Sequence, residues 1–321
     1  MYNSSENSIT ISNTAPAISF VQINSTNPST NDTLQNITSH ILSPSDADND
    51  NISYAYRWYN TTGIIAESVH FNNSLVLYMP FDNDARDYAL SNDGTVTGAT
   101  LNKTDFKVGS GAFSFDGNDF INTTFKSSAI LGNDVSVSGW VKIDGTTGID
   151  QDIVGEGSTP KYPYLLRYQD SSSKFHFALY DGTNAPAVLS NTVILGKWYH
   201  LVGIRDTATD RIYLYVDGVL NSNTTDTTTG DLRSGRNTVF GRRATSTFYM
   251  KGVLDEVAIW NRSLSAAEIQ QLYYAGIGKD GTELLSNFSK KNDNITVEVT
   301  PIDYLDWGTA VNSSLITILD T

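Results

Sequence analysis

Short runs of alternating apolar and polar residues, separated by turns that contain Gly, fill the chain from about residue 74 to residue 280. In RIYLYVDGVLN, two such runs meet at Asp-Gly, a pair that supplies the positive φ angles of a hairpin turn. Alternation over short runs is typical of antiparallel strands with one buried face. So many strands in succession predict an all-β fold in which two sheets pack as a sandwich or jelly roll.

One segment near residues 265–275 predicts a short helix instead. In LSAAEIQQLYYAG, Ser265 is a natural N-cap and Glu268 stands three residues later, as in a capping box. Apolar residues at helical spacing follow, and Gly276 is a suitable residue to end the helix.

The chain carries a formal net charge of −14 and no cysteine. Because an acidic surface repels phosphate groups, we expect neither nucleic acid nor an anionic membrane surface as a partner. The absence of Cys excludes disulfides, Cys-zinc sites and thiol catalysis. We find no signal peptide and no membrane-spanning run, so an exported protein would be present here as a mature or excised piece.

Asn-x-Ser/Thr sequons are dense and indicate a glycosylated, extracellular protein of the cell surface. The predicted glycosylation sites are Asn24, Asn36, Asn60, Asn102, Asn122, Asn223 and Asn287.

Five segments follow one another in the middle region: SFDGNDFI, VSVSGWVKID, KWYHLVGIRD, LYVDGVL and KGVLDEVAIWNRSLSAAEIQQLY. In this order they resemble the LamG-like jelly roll of the concanavalin A-like and pentraxin-like superfamily. The resemblance covers residues 73–280. It implies a two-sheet sandwich that serves as a non-catalytic extracellular module, one that binds carbohydrate or protein.

The same resemblance implies a structural calcium ion. In such domains the Asp of the opening strand lies beside the Asp of the closing Gly-x-x-Asp-Glu strand, and here these residues are Asp82 and Asp255. Asp87 and Asn92 fall in the polar loop that adds further ligands. Oxygen ligands of this kind suit calcium. The alternative is that Asp82 and Asp255 only cap turns.

Aromatic residues give both a core and a candidate ligand site. The resemblance places Trp140, Trp198 and Trp260 in the core and makes His200 a scaffold residue. Outside these positions, Tyr162, Tyr164 and Arg167 form a loop set in which aromatic faces beside an arginine can stack on a sugar ring.

We do not expect catalysis. Glycan-cleaving enzymes need two carboxylates that face each other across the scissile bond. Asp255 and Glu256 are adjacent, and neighbouring residues of a strand point to opposite faces. The four His are not clustered in the sequence, and no nucleophile elbow or glycine-rich phosphate loop is present.

The flanks, residues 14–72 and 281–321, together supply about six strands, which an Ig-like domain needs. The segments NTAP, DADNDNISYAYRWY and VTPIDYLDWGTAVNSS resemble a repeat of microbial surface proteins, with Trp58 at a core position. We therefore predict a jelly roll inserted into a discontinuous Ig-like domain.

The aspartates of DADNDN allow two interpretations. Asp46, Asp48 and Asp50 could hold calcium, but Arg57 stands where an EF-hand loop has glutamate. An Asx-rich turn is therefore the favoured interpretation.

The two ends of the chain repeat each other, as NSSENSITI and NSSLITI. Residues 1–13 are either the tail strand of a preceding repeat or a strand donated to a neighbouring copy of the protein. The leading hypothesis is an adhesin that binds a glycan or a surface protein outside the cell. The alternative is a structural subunit of a surface filament, stalk or sheath.

Overall fold

The computed structural model describes residues 14–25, 36–48, 52–67, 74–127, 134–157, 161–230, 232–243, 247–276, 283–284, 290–302 and 308–319. The chain separates into two compact units. The larger unit is continuous and comprises Asn72–Asp280, whereas the smaller unit is formed by Met1–Phe71 together with Gly281–Thr321.

Nearly all regular structure in the described ranges is strand. In chain order the elements are β1 (Phe20–Ser25), β2 (Ile37–Leu42), β3 (Ser53–Asn60), β4 (Gly63–Glu67), β5 (Leu75–Met79), β6 (Gly94–Thr97), β7 (Thr100–Asn102), β8 (Ala112–Asp116), β9 (Phe120–Thr123), β10 (Val135–Ile143), β11 (Gln151–Glu156), β12 (Tyr162–Gln169), β13 (Lys174–Tyr180), β14 (Ala187–Thr192), β15 (Trp198–Asp206), β16 (Arg211–Val216), β17 (Val219–Thr225), β18 (Thr238–Phe240), β19 (Lys251–Trp260), α1 (Ala266–Ala275), β20 (Glu283–Leu284), β21 (Asn294–Ile302), β22 (Val311–Asn312) and β23 (Ile316–Thr317).

Two antiparallel sheets build the larger unit. Sheet A has the order β17-β16-β15-β10-β19-β8-β7, and β5 also pairs with β19. Sheet B has the order β14-β13-β12-β11-β18-β9-β6. The inward faces of both sheets contribute to one apolar core, which includes Phe115 and Leu201 from sheet A and Phe177 and Phe240 from sheet B. The prediction of an all-β sandwich with a short helix is confirmed.

The helix α1 begins and ends where the sequence pattern predicts. The Ser265 hydroxyl accepts from the backbone N–H of Glu268 at 3.3 Å, and the Glu268 carboxylate accepts from the N–H of Ser265 at 2.7 Å. Gly276 follows the helix in a right-handed conformation, with φ −70°. Its lack of a side chain is therefore required by space, since a Cβ here would lie 2.2 Å from the Trp140 Nε1 atom.

The smaller unit has its own apolar core. Its described strands form a sheet of order β1-β2-β20 and a second sheet of order β22-β21-β3-β4, in which β23 also pairs with β21. Trp58 is 1% exposed and packs in this core, as predicted. The Ig-like identity of the unit stays a prediction.

Two further expectations concern the smaller unit. The backbone N–H of Asp48 donates to Asp46 Oδ1 at 2.9 Å, which is the contact of an Asx turn. Asp50 lies outside the described residues. The second copy of the repeated terminal segment forms β23, where Ile316 pairs with Ile295. The first copy, residues 1–13, also lies outside the described part of the chain.

Candidate functional site

The face of sheet B that points away from the core is the candidate ligand site. Side chains of a strand alternate between the two faces of its sheet. On β12, Leu166 and Tyr168 point into the core, so Arg167 between them lies on the outer face. Residues of this outer face and of the segments beside it form what we call the aromatic–arginine face. It consists of Phe120, Tyr162, Arg167, Tyr180, Arg242, Arg243, Phe248 and Tyr249.

Two tyrosines and an arginine stand side by side on this face. The guanidinium of Arg243 lies 4.7 Å from the centre of the Tyr162 ring. The Tyr162 and Tyr180 rings, from neighbouring strands, have their centres 5.4 Å apart. Gly155 on β11 makes room for this arrangement, since a Cβ there would come within 3.3 Å of the Arg243 Cγ atom.

A buried carboxylate holds two of the arginines. Asp152 has a fully buried side chain and accepts from Arg167 Nε at 2.6 Å, and Arg243 Nε lies 3.6 Å from its other oxygen. Arg167 also contacts Asp150 at 3.1 Å, and its guanidinium lies 4.8 Å from the centre of the Phe248 ring. These contacts fix both side chains, so the face is organised before any ligand arrives.

The third arginine is held by aromatic rings. The guanidinium of Arg242 lies 3.7 Å from the centre of the Phe120 ring and 5.6 Å from that of Tyr249. Its Nη1 donates to the Tyr249 hydroxyl at 3.3 Å. Arginine stacks readily on aromatic faces because its planar guanidinium is weakly hydrated.

Two of the three ligand-binding residues predicted from the sequence lie on this face in the structure. Tyr162 and Arg167 belong to it, although they lie on a strand and not in a loop. Tyr164 does not, because it is 0% exposed and its hydroxyl contacts Thr238 Oγ1 at 2.5 Å inside the sandwich. The prediction for Tyr164 is therefore wrong.

Six members of the face were not predicted from the sequence. The arginine pair in NTVFGRR directly follows a strand, and this was the available signal for Arg242 and Arg243. The aromatic members could not be identified, because their contacts join strands that are distant in sequence.

Asp82 and Asp255, the first two predicted calcium ligands, meet at one loop. Asp255 Oδ2 accepts from the backbone N–H groups of Lys107 and Val108 at 2.8 and 3.0 Å. Asp82 Oδ1 accepts from the N–H of Ser110. Burial, together with the negative charge of Asp82, raises the pKa of Asp255 to about 7, although the backbone donors oppose this shift.

The remaining predicted ligands have another role. Asp87 accepts from the backbone N–H groups of Tyr78, Ala89, Leu90 and Asn92, and also from the Asn92 side-chain amide. These bonds organise the loop that follows β5. In the part of the chain that the structure describes, no contact brings Asp87 or Asn92 to the carboxylates of Asp82 and Asp255.

The pair Asp82 and Asp255 fits a hard cation in one respect. Asp255 Oδ1 is buried and makes no hydrogen bond among the described residues. A buried carboxylate oxygen in that state is costly unless it is neutralised. Within the described ranges, however, no three acidic or His side chains gather to hold a metal ion. An ion at this place would therefore depend on backbone oxygens and water for its other ligands.

The three tryptophans that were predicted to lie in the core have different surroundings. Trp260 is 1% exposed, and Trp140 is 3% exposed but lies on the outer side of sheet A, stacked on Tyr273 of α1 with ring centres 5.6 Å apart. Trp198 is only half-buried and donates to Asp105 at 3.2 Å, so its assignment to the core is wrong.

His200 forms an unexpected pair with Ser138. Its Nε2 lies 3.0 Å from the Ser138 hydroxyl, in a layer closed by Trp140 and Tyr273. The Nδ1 atom of His200 makes no hydrogen bond in the described part of the chain. A nucleophile and its base need a third group that orients the base, and they need access to substrate. The pair is therefore best explained as part of the scaffold, as predicted for His200.

The predicted glycosylation sites differ in their surroundings. Asn223 is exposed on β17, whereas the Asn102 side-chain amide donates to Ser114 at 2.9 Å. Asn122 lies two residues after Phe120 on β9 and shares its outer side, so a glycan there would lie beside the aromatic–arginine face. Asn287 lies outside the described residues. Whether any of these sites is modified stays a prediction.

Comparisons with known proteins identify the fold of the larger unit. Residues 115–270 match the Laminin_G_3 family model, described as the concanavalin A-like lectin/glucanases superfamily. No match to a curated protein sequence was found. Within the described ranges, no helix combines the length and the apolar character needed to cross a membrane.

Solved structures give the same result. Domain 4 of AbnA, a GH43 extracellular arabinanase from Geobacillus stearothermophilus, was solved in complex with arabinotriose. It is 22% identical, with a TM-score of 0.51 over 62% of this chain and 98% of that one. The binding domain of Paraclostridial Mosquitocidal Protein 1 is 15% identical, with a TM-score of 0.53 over 63% of this chain.

A third similar structure is the ligand binding domain of botulinum neurotoxin serotype D, in complex with N-acetylneuraminic acid. It is 16% identical, with a TM-score of 0.51 over 63% of this chain. The matches span only about half of the two toxin domains, 52% and 51% of their lengths. At these identities the likeness is one of fold. The larger unit therefore has a concanavalin A-like fold, and its residues 115–270 match the Laminin_G_3 family model, as its sequence motifs predicted.

Proposed function

We propose that the larger unit is a non-catalytic carbohydrate-binding module whose site is the aromatic–arginine face of sheet B. The observation that carries this proposal is the group formed by Arg243, Tyr162 and Tyr180 on the outer face of the sheet. A sugar ring has an apolar C–H face that packs on an aromatic ring, and hydroxyl groups around its edge that need polar partners.

The polar partners stand beside the rings. Arg167 and Arg243 present N–H donors, and Asp150 presents carboxylate oxygens that accept. A sugar hydroxyl both donates and accepts, so alternating arginines and carboxylates suit it. Because Asp152 fixes the two arginines, little side-chain entropy is lost on binding.

The comparisons support this proposal at the level of fold. Two of the similar domains were solved with carbohydrates, one with arabinotriose and one with N-acetylneuraminic acid. The fold alone does not define a binding site, so the proposal rests on the specific residues that this chain places on sheet B.

We further propose that the protein acts outside the cell, at the cell surface, and mediates adhesion to a glycan or to a glycosylated surface protein. The dense sequons and the strongly acidic composition support this location. A structural calcium ion at Asp82 and Asp255 belongs to the same proposal. Its role would be structural: the ion would hold the loop of residues 107–110 against β19 and would take part in no reaction.

A glycan array with the purified chain tests the proposal. We expect retention of a subset of saccharides, and we expect Tyr162→Ala to abolish it. Tyr213→Ala is the matched control, since Tyr213 is a partly exposed tyrosine of sheet A. Equal binding by Tyr162→Ala and the wild-type protein would contradict the assignment of the site. Binding that survives EDTA would agree with a structural role for the ion.

A further inference from the structure

We infer that the ligand of the aromatic–arginine face is an acidic oligosaccharide, and that Arg242 binds its carboxylate. This inference rests on the proposed function and names the class of sugar that the same site takes. Three features of the face lead to it: an uncompensated charge, the way in which that charge is held, and the width of the face.

The first feature is the charge of Arg242. No Asp or Glu of the described residues lies within ion-pair distance of its guanidinium. Arg167, by contrast, pairs with Asp150 and Asp152, and Arg243 pairs with Asp152. Among the described residues, the three arginines of this face are matched by two carboxylates, Asp150 and Asp152, so the positive charge of Arg242 is not compensated. The whole chain carries a net charge of −14. The positive charge of Arg242 attracts an anionic ligand group, whereas the acidic surface elsewhere repels anions. An anionic group is therefore directed to this site.

The second feature is the way in which Arg242 is held. Its guanidinium lies over two aromatic rings, 3.7 Å from the centre of the Phe120 ring and 5.6 Å from that of Tyr249. A guanidinium has five N–H donors, and in the described residues this one makes a single hydrogen bond, to the Tyr249 hydroxyl. Its Nε is buried and has no hydrogen-bond partner there. A planar fork with unused donors matches the two oxygens of a carboxylate.

The third feature is the distance between Arg242 and the tyrosines. Phe120, on which Arg242 stacks, belongs to β9, and Tyr162 belongs to β12, with β18 and β11 between them. Three strand spacings amount to roughly 14 Å across the sheet. A ligand that stacks on Tyr162 and also reaches Arg242 is therefore longer than one sugar ring. The acidic group lies at the Arg242 end, and an apolar ring face lies over Tyr162.

Isothermal titration with oligomers of galacturonic acid tests the inference, with uncharged galactose oligomers of the same length and linkage as the comparison. We expect the acidic oligomer to bind more tightly. Arg242→Gln should weaken its binding about tenfold or more, because a charge-assisted hydrogen bond to carboxylate is lost. Binding of the neutral oligomer should be unchanged in this variant. Arg211→Gln, the same change on sheet A, should leave both affinities unchanged.

Four other results would overturn the inference. The first is equal loss of acidic and neutral binding in Arg242→Gln while its circular dichroism and melting match the wild type. The second is tighter binding of a sulfated galactose oligomer, which would contradict the carboxylate assignment. The third is tight binding of neutral oligomers alone, which would leave the proposed function standing. The fourth is binding of no saccharide at all, which would remove the proposed function as well.

Discussion

The guanidinium of Arg243 lies 4.7 Å from the centre of the Tyr162 ring, although the two residues are 81 positions apart in the sequence. Arg243 reaches this position by crossing β11 at Gly155, where no side chain blocks it. The relationship places a cation and an aromatic ring together on the outer face of sheet B, where both side chains are partly buried. It is the contact on which the proposed carbohydrate site depends most.

Gly155→Ala is expected to weaken carbohydrate binding without unfolding the domain. The new Cβ would lie 3.0 Å from Leu165 Cδ1 and 3.3 Å from Arg243 Cγ, so Arg243 must move away from Tyr162. Loss of the cation–π contact predicts a roughly threefold to tenfold lower affinity, measured by isothermal titration. Gly145→Ala is the control, because its Cβ would meet only Lys251, at 3.9 Å. Unchanged affinity in Gly155→Ala would show that Arg243 does not contribute.

Calcium is expected to stabilise the larger unit through Asp255. Burial and the nearby charge of Asp82 raise the pKa of Asp255 to about 7, so its ionised form is costly in the folded protein. A bound divalent cation would remove that cost. At 100 times its dissociation constant, an ion adds about 2.7 kcal/mol to the free energy of unfolding, or roughly 5–10 °C in melting temperature.

Differential scanning calorimetry with calcium and with EDTA measures this effect. Asp255→Asn should melt at the same temperature in both conditions. Asp84→Asn removes a neighbouring carboxylate that pairs with Arg86, and it should keep the full response to calcium. A wild-type protein that melts identically with calcium and EDTA would rule out the ion.

Acid is expected to destabilise the larger unit partly through His200. Burial lowers the pKa of His200 from 6.5 to about 3. Between these values the unfolded chain binds a proton that the folded chain does not. The free energy of unfolding therefore falls as the pH decreases from 6.5 towards 3, by at most about 1.4 kcal/mol per pH unit for this one group.

Urea denaturation at pH 6.5, 5.5 and 4.5 compares the wild-type protein with His200→Gln. The variant should lose less stability over this range, whatever its stability at pH 6.5. Burial and the charge of Arg167 lower the pKa of His176 to about 4, so His176→Gln should also reduce the slope. Parallel pH profiles for the wild type and His200→Gln would contradict the account of His200.

Local patterns predicted the architecture well, because strand alternation and helix capping are encoded by neighbouring residues. The helix at Ala266–Ala275 follows directly from Ser265 and Glu268, and sheets A and B follow from period-two alternation. The prediction of an outward-facing side chain failed at Tyr164, because the register between β12 and β13 shifts between Tyr162 and Leu165 and breaks the period of two. The prediction that Trp198 lies in the core also failed, because Trp198 is the first residue of β15 and is only half-buried.

Only two of the eight residues of the candidate site, Tyr162 and Arg167, could be predicted from the sequence. Tyr162 and Arg167 lie close together in one strand and could be recognised as a pair. The buried Asp152 that fixes Arg167, and the ring of Phe120 that holds Arg242, are joined to their partners by sheet pairing. No short-range pattern encodes such contacts, because they depend on the order of strands in sheet B.

The most direct test of the central claim is a nuclear magnetic resonance titration of the labelled chain with an oligomer of galacturonic acid. The account predicts that amide shifts concentrate on β9, β11, β12, β13 and residues 247–249, and that the tyrosine rings of Tyr162 and Tyr180 contact the sugar. Shifts confined to sheet A or to the loop of Asp82 and Asp255, or no shifts at all, would contradict it.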